Sequence, residues 1–288
     1  MNSQKNSDLH MHSTASDGGY SPSELMRKCK ENGLEIVALT DHDTVDGIEE
    51  ALLAGKELGI KVIPGIEFST KHKGKSVHIL GYGFDWKNKE LREFLSTQKE
   101  LRRERLDTMI EKFDLVGVKL SPESVLKHVD GGSVGRPHVA KALIEGGYVE
   151  TVAEAFDRFL AEGKPCYVEK SKEMTVKEAI DWIHQTGGLA IVAHPVYYDF
   201  DQDIVEWVHE LGLDGIEIYH RDHNEEAIKR FESLCDQIEL NQQKTLLRTG
   251  GSDFHHEDYG RVPQPLGITR LSNALASEMI EKQTKSDS

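Results

Sequence analysis

The sequence has few cysteines, and their spacing excludes two classes of site. Among its 288 residues, only Cys29, Cys166 and Cys235 are cysteines, and they are far apart with no C-x-x-C pair. An odd number of separated cysteines argues against a disulfide framework and against a thiolate zinc site. The same usage is typical of a reducing compartment, so we expect a cytoplasmic protein.

Long apolar runs and an excess of positive charge are also missing. No run of about 18 apolar residues occurs, and the polar segment 1–7 lacks the apolar core of a signal peptide. Lysine and arginine number 35 against 50 aspartate and glutamate, a formal net charge of −15. Such a chain is poorly suited to broad electrostatic attraction of long nucleic acid or of an anionic membrane. We therefore expect neither as a partner, and the oligomeric state stays open.

Histidine is abundant, and the first ordered stretch shows how it is used. Residues 8–18 read DLHMHSTASDG. Alternate residues of a strand share a face, so His10 and His12 point the same way and can grip one metal ion. A loop after the strand can turn Asp17 back over that site. A surface histidine pair on an edge strand is the alternative.

Strand and helix patterns alternate along most of the chain. Ser21 with Glu24, and Thr175 with Glu178, are capping boxes that predict helix starts. The predicted strands are the opening segment and residues 35–39, 61–68, 76–82, 189–195, 215–220 and 245–255. About seven strands with helices between them predict an α/β barrel rather than an open sheet, because a barrel lets the first and last strands meet.

Ligand-type side chains gather at the ends of these strands, where α/β folds build their sites. Pro64 and Gly65 are predicted to break the third strand just before Glu67. The full set of candidate metal ligands is His10, His12, Asp17, His42, Glu67, His78, His194, Asp253 and His255. Each has a plainer alternative as a loop, core or capping residue. Together they predict two or three divalent ions, Mn, Zn or Fe, with Glu67 as a bridge.

The pattern changes between residues 87 and 165, where only helices are predicted. The first of these helices, residues 91–113, is rich in Lys, Arg and Glu, which indicates a solvated face. We predict a barrel domain formed by residues 1–86 and 166–288, with a helical insertion domain at 87–165.

The motifs DLHMHSTASDG, TDHD, PGIE, VHILGY, AHP and GSDFH, in this order, resemble the polymerase and histidinol phosphatase (PHP) family of metal-dependent phosphoesterases. The resemblance implies a distorted (β/α)7 barrel with a two- or three-metal cleft. It also implies three ligand sets, namely His10, His12, Glu67 and Asp253; Glu67, His78 and His194; and Asp17, His42 and His255.

The insertion resembles that of the stand-alone branch that acts on small nucleotides or short RNA, in which a GRPH segment overhangs the cleft. Here Gly135 and Arg136 precede a helix start, where free N–H groups favour an anion, and the guanidinium can bind phosphate in a bidentate manner. His138 would lie beside it. Lys164 and Arg261 are weaker candidates for substrate contacts.

These features predict hydrolysis of a phosphate ester on a small nucleotide. Metal ions would turn a bridging water into hydroxide, Arg136 would offset phosphoryl charge, and Asp17, His194 or His255 would protonate the leaving oxygen. A 3′-phosphatase on a 3′,5′-nucleoside bisphosphate competes with a 5′-to-3′ exonuclease on short RNA. Histidinol phosphate hydrolysis and a non-catalytic metal-binding module are the further alternatives.

Overall fold

The computed structural model of the chain describes residues 4–129, 134–169, 173–242, 244–258 and 265–286. Within them, the strands are β1 (Ser7–Asp8), β2 (Ile36–Leu39), β3 (Lys61–His72), β4 (Lys75–Tyr82), β5 (Met174–Thr175), β6 (Leu189–Val192), β7 (Gly215–His220) and β8 (Leu247–Gly251). The α-helices are α1 (Pro22–Glu31), α2 (Ile48–Leu58), α3 (Lys89–Leu115), α4 (Pro122–Leu126), α5 (Arg136–Glu145), α6 (Val152–Ala155), α7 (Val176–Gln185), α8 (Asp201–Glu206), α9 (Glu225–Gln242) and α10 (Asn273–Ser286). None of these helices is long and apolar enough to cross a bilayer.

The strands form a single sheet that curls until its first and last members meet. The strand order is β1-β2-β3-β4-β6-β7-β8, with β5 paired to β3. Across the seam, the Leu9 N–H donates to Gly250 O at 3.1 Å and the His12 N–H donates to Phe254 O at 2.8 Å. The predicted distorted barrel with a helical insertion is therefore confirmed. The sequence patterns missed only the two-residue strand β5 among the described strands.

The prediction that Pro64 and Gly65 break the third strand is wrong. β3 runs through both residues, but it changes partners there, pairing in parallel with β2 up to Pro64 and antiparallel with β4 from Gly65 onward. A Cβ on Gly65 would lie 2.6 Å from Leu39 O, so only glycine allows this close approach. Glu67 therefore lies within a strand, yet beyond the end of β2.

The histidine pair lies just after β1 and not inside a regular strand. β1 ends at Asp8, and the extended chain then bonds to both neighbours, for example through the Thr40 N–H, which donates to Met11 O at 3.0 Å. Leu9 and Met11 are fully buried in two hydrophobic clusters, whereas His10 and His12 lie beside the Glu67 carboxylate. The predicted alternation of histidine and apolar residues is thus present, although this segment does not form a regular strand with a single neighbouring strand.

Two separate hydrophobic clusters are joined by the long helix α3. Its Leu91 and Leu95 pack in the cluster that also contains the barrel strands, whereas Leu106, Met109 and Phe113 pack in a second cluster formed by the insertion. The insertion thus has its own core and is held to the barrel by a continuous helix. The exact division at residues 87 and 165 stays a prediction.

Candidate metal centre

One buried carboxylate, that of Glu67, lies at the centre of a group of imidazoles. Glu67 is fully buried in β3. Five imidazole nitrogens lie close to its two oxygens. They are His10 Nε2 (3.3 Å), His12 Nε2 (3.2 Å) and His42 Nδ1 (3.1 Å) at Oε2, with His78 Nδ1 (2.7 Å) and His194 Nε2 (3.1 Å) at Oε1. This is the nitrogen and oxygen ligand chemistry that Zn, Mn and Fe bind.

Three overlapping groups of side chains have ligand atoms near enough to share an ion. The groups are His10, His12, Glu67 and Asp253; His42, Glu67 and His78; and His12, Asp17, His42 and His255. His194 joins them through its 3.1 Å approach to Glu67. The structure thus brings all nine predicted ligands together, while their division among ions stays a prediction.

Two of these residues have unusual backbone geometry. His194 lies two residues after the end of β6 with φ of 28°, and Asp253 lies two residues after the end of β8 with φ of 49°. Positive φ is unfavourable for residues other than glycine, and such strain concentrates at functional sites. It lets both side chains turn inward where their strands end.

The site carboxylates stay ionised. Burial acts to raise the pKa of Glu67, but the nearby imidazoles of His42 and His78 hold this pKa well below its ordinary value. A similar balance of burial and imidazoles holds the pKa values of Asp17 and Asp253 well below their ordinary value. Burial lowers the pKa of His42 to about 3, so this imidazole is neutral near pH 7. Ionised carboxylates and neutral imidazoles are the forms that bind metal ions.

His12 differs from His42. Burial opposes a charge on its imidazole, but the carboxylates of Asp253 and Glu67 raise the pKa of His12 to about 10. A cation binding between these carboxylates must displace the His12 proton. The metal affinity of this part of the site should therefore fall as the pH decreases.

Several buried polar atoms of the site have no hydrogen-bond partner among the described residues. They are His10 Nε2, His12 Nδ1 and Nε2, His42 Nδ1 and Glu67 Oε2. Unpaired buried polar atoms are rare, because each loses its hydration without compensation. Coordination of divalent cations would satisfy these atoms, so the residues present fit such ions.

Glu217 supports the site and was not predicted from the sequence. It is fully buried in β7; its Oε1 accepts a hydrogen bond from His10 Nδ1 at 2.9 Å, and its Oε2 accepts one from the His194 N–H at 2.7 Å. A carboxylate behind a histidine orients the ring and fixes the nitrogen that faces the metal. The available signal was an acidic residue in the apolar strand GIEIYH.

A cleft bordered by cationic side chains opens beside the imidazoles. His42 and His78 line it from the barrel, and Arg102, Arg105 and Arg136 line it from α3 and α5. The prediction of a solvated face on α3 is therefore wrong at Arg102, whose side chain is only 12% exposed and pairs with Asp43. Sequence alone could not reveal this pair, because its partners come from separate elements.

Of the four residues predicted to contact the substrate, only Arg136 lines the cleft among those that the structure describes. Arg136 lines the cleft, where its guanidinium lies 5.5 Å from the ring centres of both Phe156 and Tyr167. His138 is buried, and its Nδ1 accepts a hydrogen bond from the Gly135 N–H at 2.9 Å. Lys164 pairs with Asp157 at 3.2 Å on the surface. Arg261 lies outside the described residues.

Known proteins are similar to this chain in sequence and in fold. A 5′-3′ exoribonuclease from Haemophilus influenzae is 36% identical over 87% of this chain and 90% of its own length. A 3′,5′-nucleoside bisphosphate phosphatase from Chromobacterium violaceum is 31% identical over 87% of each protein. A solved structure from Bifidobacterium adolescentis, described as a candidate metal-dependent phosphoesterase, superposes with a TM-score of 0.85 over 96% of each chain at 28% identity.

The model of the PHP domain family matches residues 8–189, which include six residues of the site, His10, His12, Asp17, His42, Glu67 and His78. The remaining strands of the barrel supply the rest of the imidazoles and carboxylates. With the family match, the shared fold and a ligand set suited to divalent ions, the chain belongs to the PHP domain family and is a metal-dependent phosphoesterase.

Proposed function

We propose that the enzyme hydrolyses a phosphate ester of a small nucleotide that carries a second phosphate, as a 3′,5′-nucleoside bisphosphate does. The observation that supports this proposal is the cleft in which His42 and His78 of the metal centre share a surface with Arg102, Arg105 and Arg136. Metal ligands suit a scissile phosphate and guanidinium groups suit another phosphate. The relative from Chromobacterium violaceum is named for this substrate class.

Arg136 is the arginine that we propose contacts the second phosphate. It begins α5, whose N-terminal N–H groups favour an anion. Its Nη1 donates a hydrogen bond to Leu160 O at 3.2 Å, which uses one of the five N–H donors of a guanidinium. Two aromatic rings hold the guanidinium in place. A charged donor that is already positioned binds phosphate with little loss of conformational entropy.

We further propose that the nine ligands hold two or three divalent ions, of Mn, Zn or Fe. When bound, such ions lower the pKa of a water and offset charge on the phosphoryl oxygens. Water adds to phosphorus, the bond from phosphorus to O3′ breaks, and O3′ takes up a proton. Two ions do not need all nine residues as ligands, and the donor of this proton would be Asp17, His194 or His255, whichever is left without an ion. Burial acts to raise the pKa of Asp17, but the nearby imidazoles of His255 and His42 hold it well below its ordinary value, so this residue is ionised near pH 7.

A second candidate function is 5′-to-3′ exonuclease action on short 5′-phosphorylated RNA, the activity for which the relative from Haemophilus influenzae is named. The chemistry is the same, because a 5′-phosphate would bind the arginines while the adjacent P–O3′ bond breaks. The net charge of −15 favours a short oligomer over long nucleic acid. The three cysteines are free and buried, which supports a cytoplasmic location.

The test compares two substrates that differ by one phosphate. We expect kcat/KM for 3′,5′-bisphosphoadenosine to exceed that for 3′-AMP by at least tenfold. Arg136→Ala should reduce that ratio, because a hydrogen bond to a charged group contributes roughly 1.5–3 kcal/mol, about 10- to 150-fold. Arg158→Ala is the matched control, since Arg158 lies on the same insertion and pairs with Glu154. Equal values for both substrates in the wild type would refute the second-phosphate site.

A further inference from the structure

An exposed aromatic ring lies at the edge of the metal centre. Tyr197 ends the short helical turn Pro195–Tyr197 that directly follows His194, and it is 53% exposed. Its ring centre is 5.2 Å from that of His194 and 6.1 Å from that of His220. A large, solvent-accessible aromatic side chain therefore lies next to one of the predicted metal ligands, His194.

The ring is anchored although it is exposed. Its hydroxyl donates a hydrogen bond to Asp222. Arg221 continues this network, with Nε 3.5 Å from Asp222 and Nη1 donating to Asp253 O at 2.8 Å. The ring is thus connected to the backbone of a predicted ligand, Asp253. An aromatic group that is already immobilised loses little entropy when a flat ligand stacks on it.

Tyr197 lies outside the cleft that Arg102, Arg105 and Arg136 line. The rings of His42, His78, His194 and Tyr197 follow one another with centres 5.1, 5.2 and 5.2 Å apart. The first two of these residues line the cleft with Arg102, Arg105 and Arg136, whereas Tyr197 is not among the described residues that line it. A substrate that reaches from the arginines across the metal centre would therefore next meet Tyr197.

We propose that Tyr197 is a stacking platform for the base on the 3′ side of the scissile phosphate of an oligoribonucleotide. This inference rests on the proposed function, in which the arginines bind the phosphate on the 5′ side. Stacking suits any base, because every base has a π face. A nucleoside bisphosphate has no base on that side. Tyr197 would therefore contribute to the binding of short RNA but not to the binding of a single nucleotide.

The experiment uses two substrates and two substitutions. The substrates are 3′,5′-bisphosphoadenosine (pAp) and the 5′-phosphorylated dinucleotide pApA, and the variants are Tyr197→Ala and Tyr197→Phe. Loss of one stacking contact costs about 1–3 kcal/mol, roughly 5- to 150-fold. We expect Tyr197→Ala to lower the ratio of kcat/KM for pApA to that for pAp by at least fivefold. Tyr197→Phe keeps the ring and should stay within twofold of the wild-type ratio.

A third substrate, the dinucleotide without its second base, tests whether Tyr197 acts through that base. On this substrate the wild type should lose the same factor that Tyr197→Ala loses on pApA, and the substitution should add little further loss. If Tyr197→Ala lowers kcat/KM for pAp and pApA equally, Tyr197 only supports His194 and the platform is refuted. The platform is refuted likewise if Tyr197→Ala changes neither value. A wild type that hydrolyses neither substrate would instead overturn the proposed function.

Discussion

Replacing Glu217 with glutamine should weaken metal binding while the fold persists. Glu217 receives two hydrogen bonds in a fully buried position, one from His10 Nδ1 and one from the His194 N–H. Glutamine has a single acceptor oxygen, so one of these donors must face the amide NH2 group. If that donor is His10, its proton moves to Nε2, the nitrogen that faces Glu67. A ring protonated there cannot bind a metal ion.

The size of the effect follows from these contacts. A lost hydrogen bond to a charged group costs roughly 1.5–3 kcal/mol. Removal of a residue that supports a metal ligand typically weakens metal affinity by about 10- to 100-fold, which agrees with that range. We therefore expect the dissociation constant for Mn²⁺ or Zn²⁺ to rise by at least tenfold in Glu217→Gln.

Competition with a chromogenic chelator measures this constant, and elemental analysis gives the metal content of the purified variants. Glu232→Gln is the matched control, because Glu232 also accepts a hydrogen bond from a β7 side chain, the Tyr219 hydroxyl, at 2.9 Å. Unlike Glu217, it does not contact the metal centre. A dissociation constant for Glu217→Gln within twofold of the wild type would show that the carboxylate does not control the His10 proton.

Three further changes test other parts of the structure. His10→Ala should lose bound metal and activity but keep the far-UV circular dichroism spectrum, since His10 belongs to none of the hydrophobic clusters among the described residues; full metal content would contradict the ligand assignment. Arg102→Met should lower the free energy of unfolding by about 3–5 kcal/mol, because it breaks the ion pair that Arg102 makes with the buried Asp43 carboxylate; denaturant titration measures this loss, and a change below 1 kcal/mol would contradict it. Burial lowers the pKa of His138 from 6.5 to about 4, so the unfolded chain binds a proton that the folded chain does not. The free energy of unfolding should therefore fall between pH 6.5 and 4, by up to about 3 kcal/mol, and His138→Gln should remove that part of the slope.

Local signals in the sequence predicted most of the architecture. The capping boxes at Ser21 and Thr175 begin α1 and α7 as predicted, because a cap depends on residues only three positions apart. The candidate ligands were also recognisable, since polar residues that end apolar strands meet at one rim of a barrel. The match to a family pattern then narrowed the chemistry to phosphoester hydrolysis.

What sequence patterns missed depends on contacts between distant segments. β3 continues past Pro64 because a second partner, β4, takes over the pairing. The Arg102 side chain is largely shielded from solvent because α3 lies against the loop that contains Asp43. In the sequence, nothing distinguishes Glu217 from other acidic residues in strands. Its role becomes visible only in the folded chain, where its carboxylate contacts His10. Each of these outcomes is decided by packing and not by the local order of residues.

The metal centre also lies across the seam where the barrel closes. His10 and His12 come from the beginning of the chain, whereas Asp253 and His255 follow the last strand, and β1 itself is only two residues long. Cations bound by both pairs would therefore help to hold the first and last strands of the sheet together. Amide hydrogens of Leu9 and His12, which bond across this junction, should exchange faster when a chelator removes the ions. Removing the last strand and the residues after it would remove the ligands Asp253 and His255 and would open the barrel. The site can therefore assemble only after the two ends of the chain have come together.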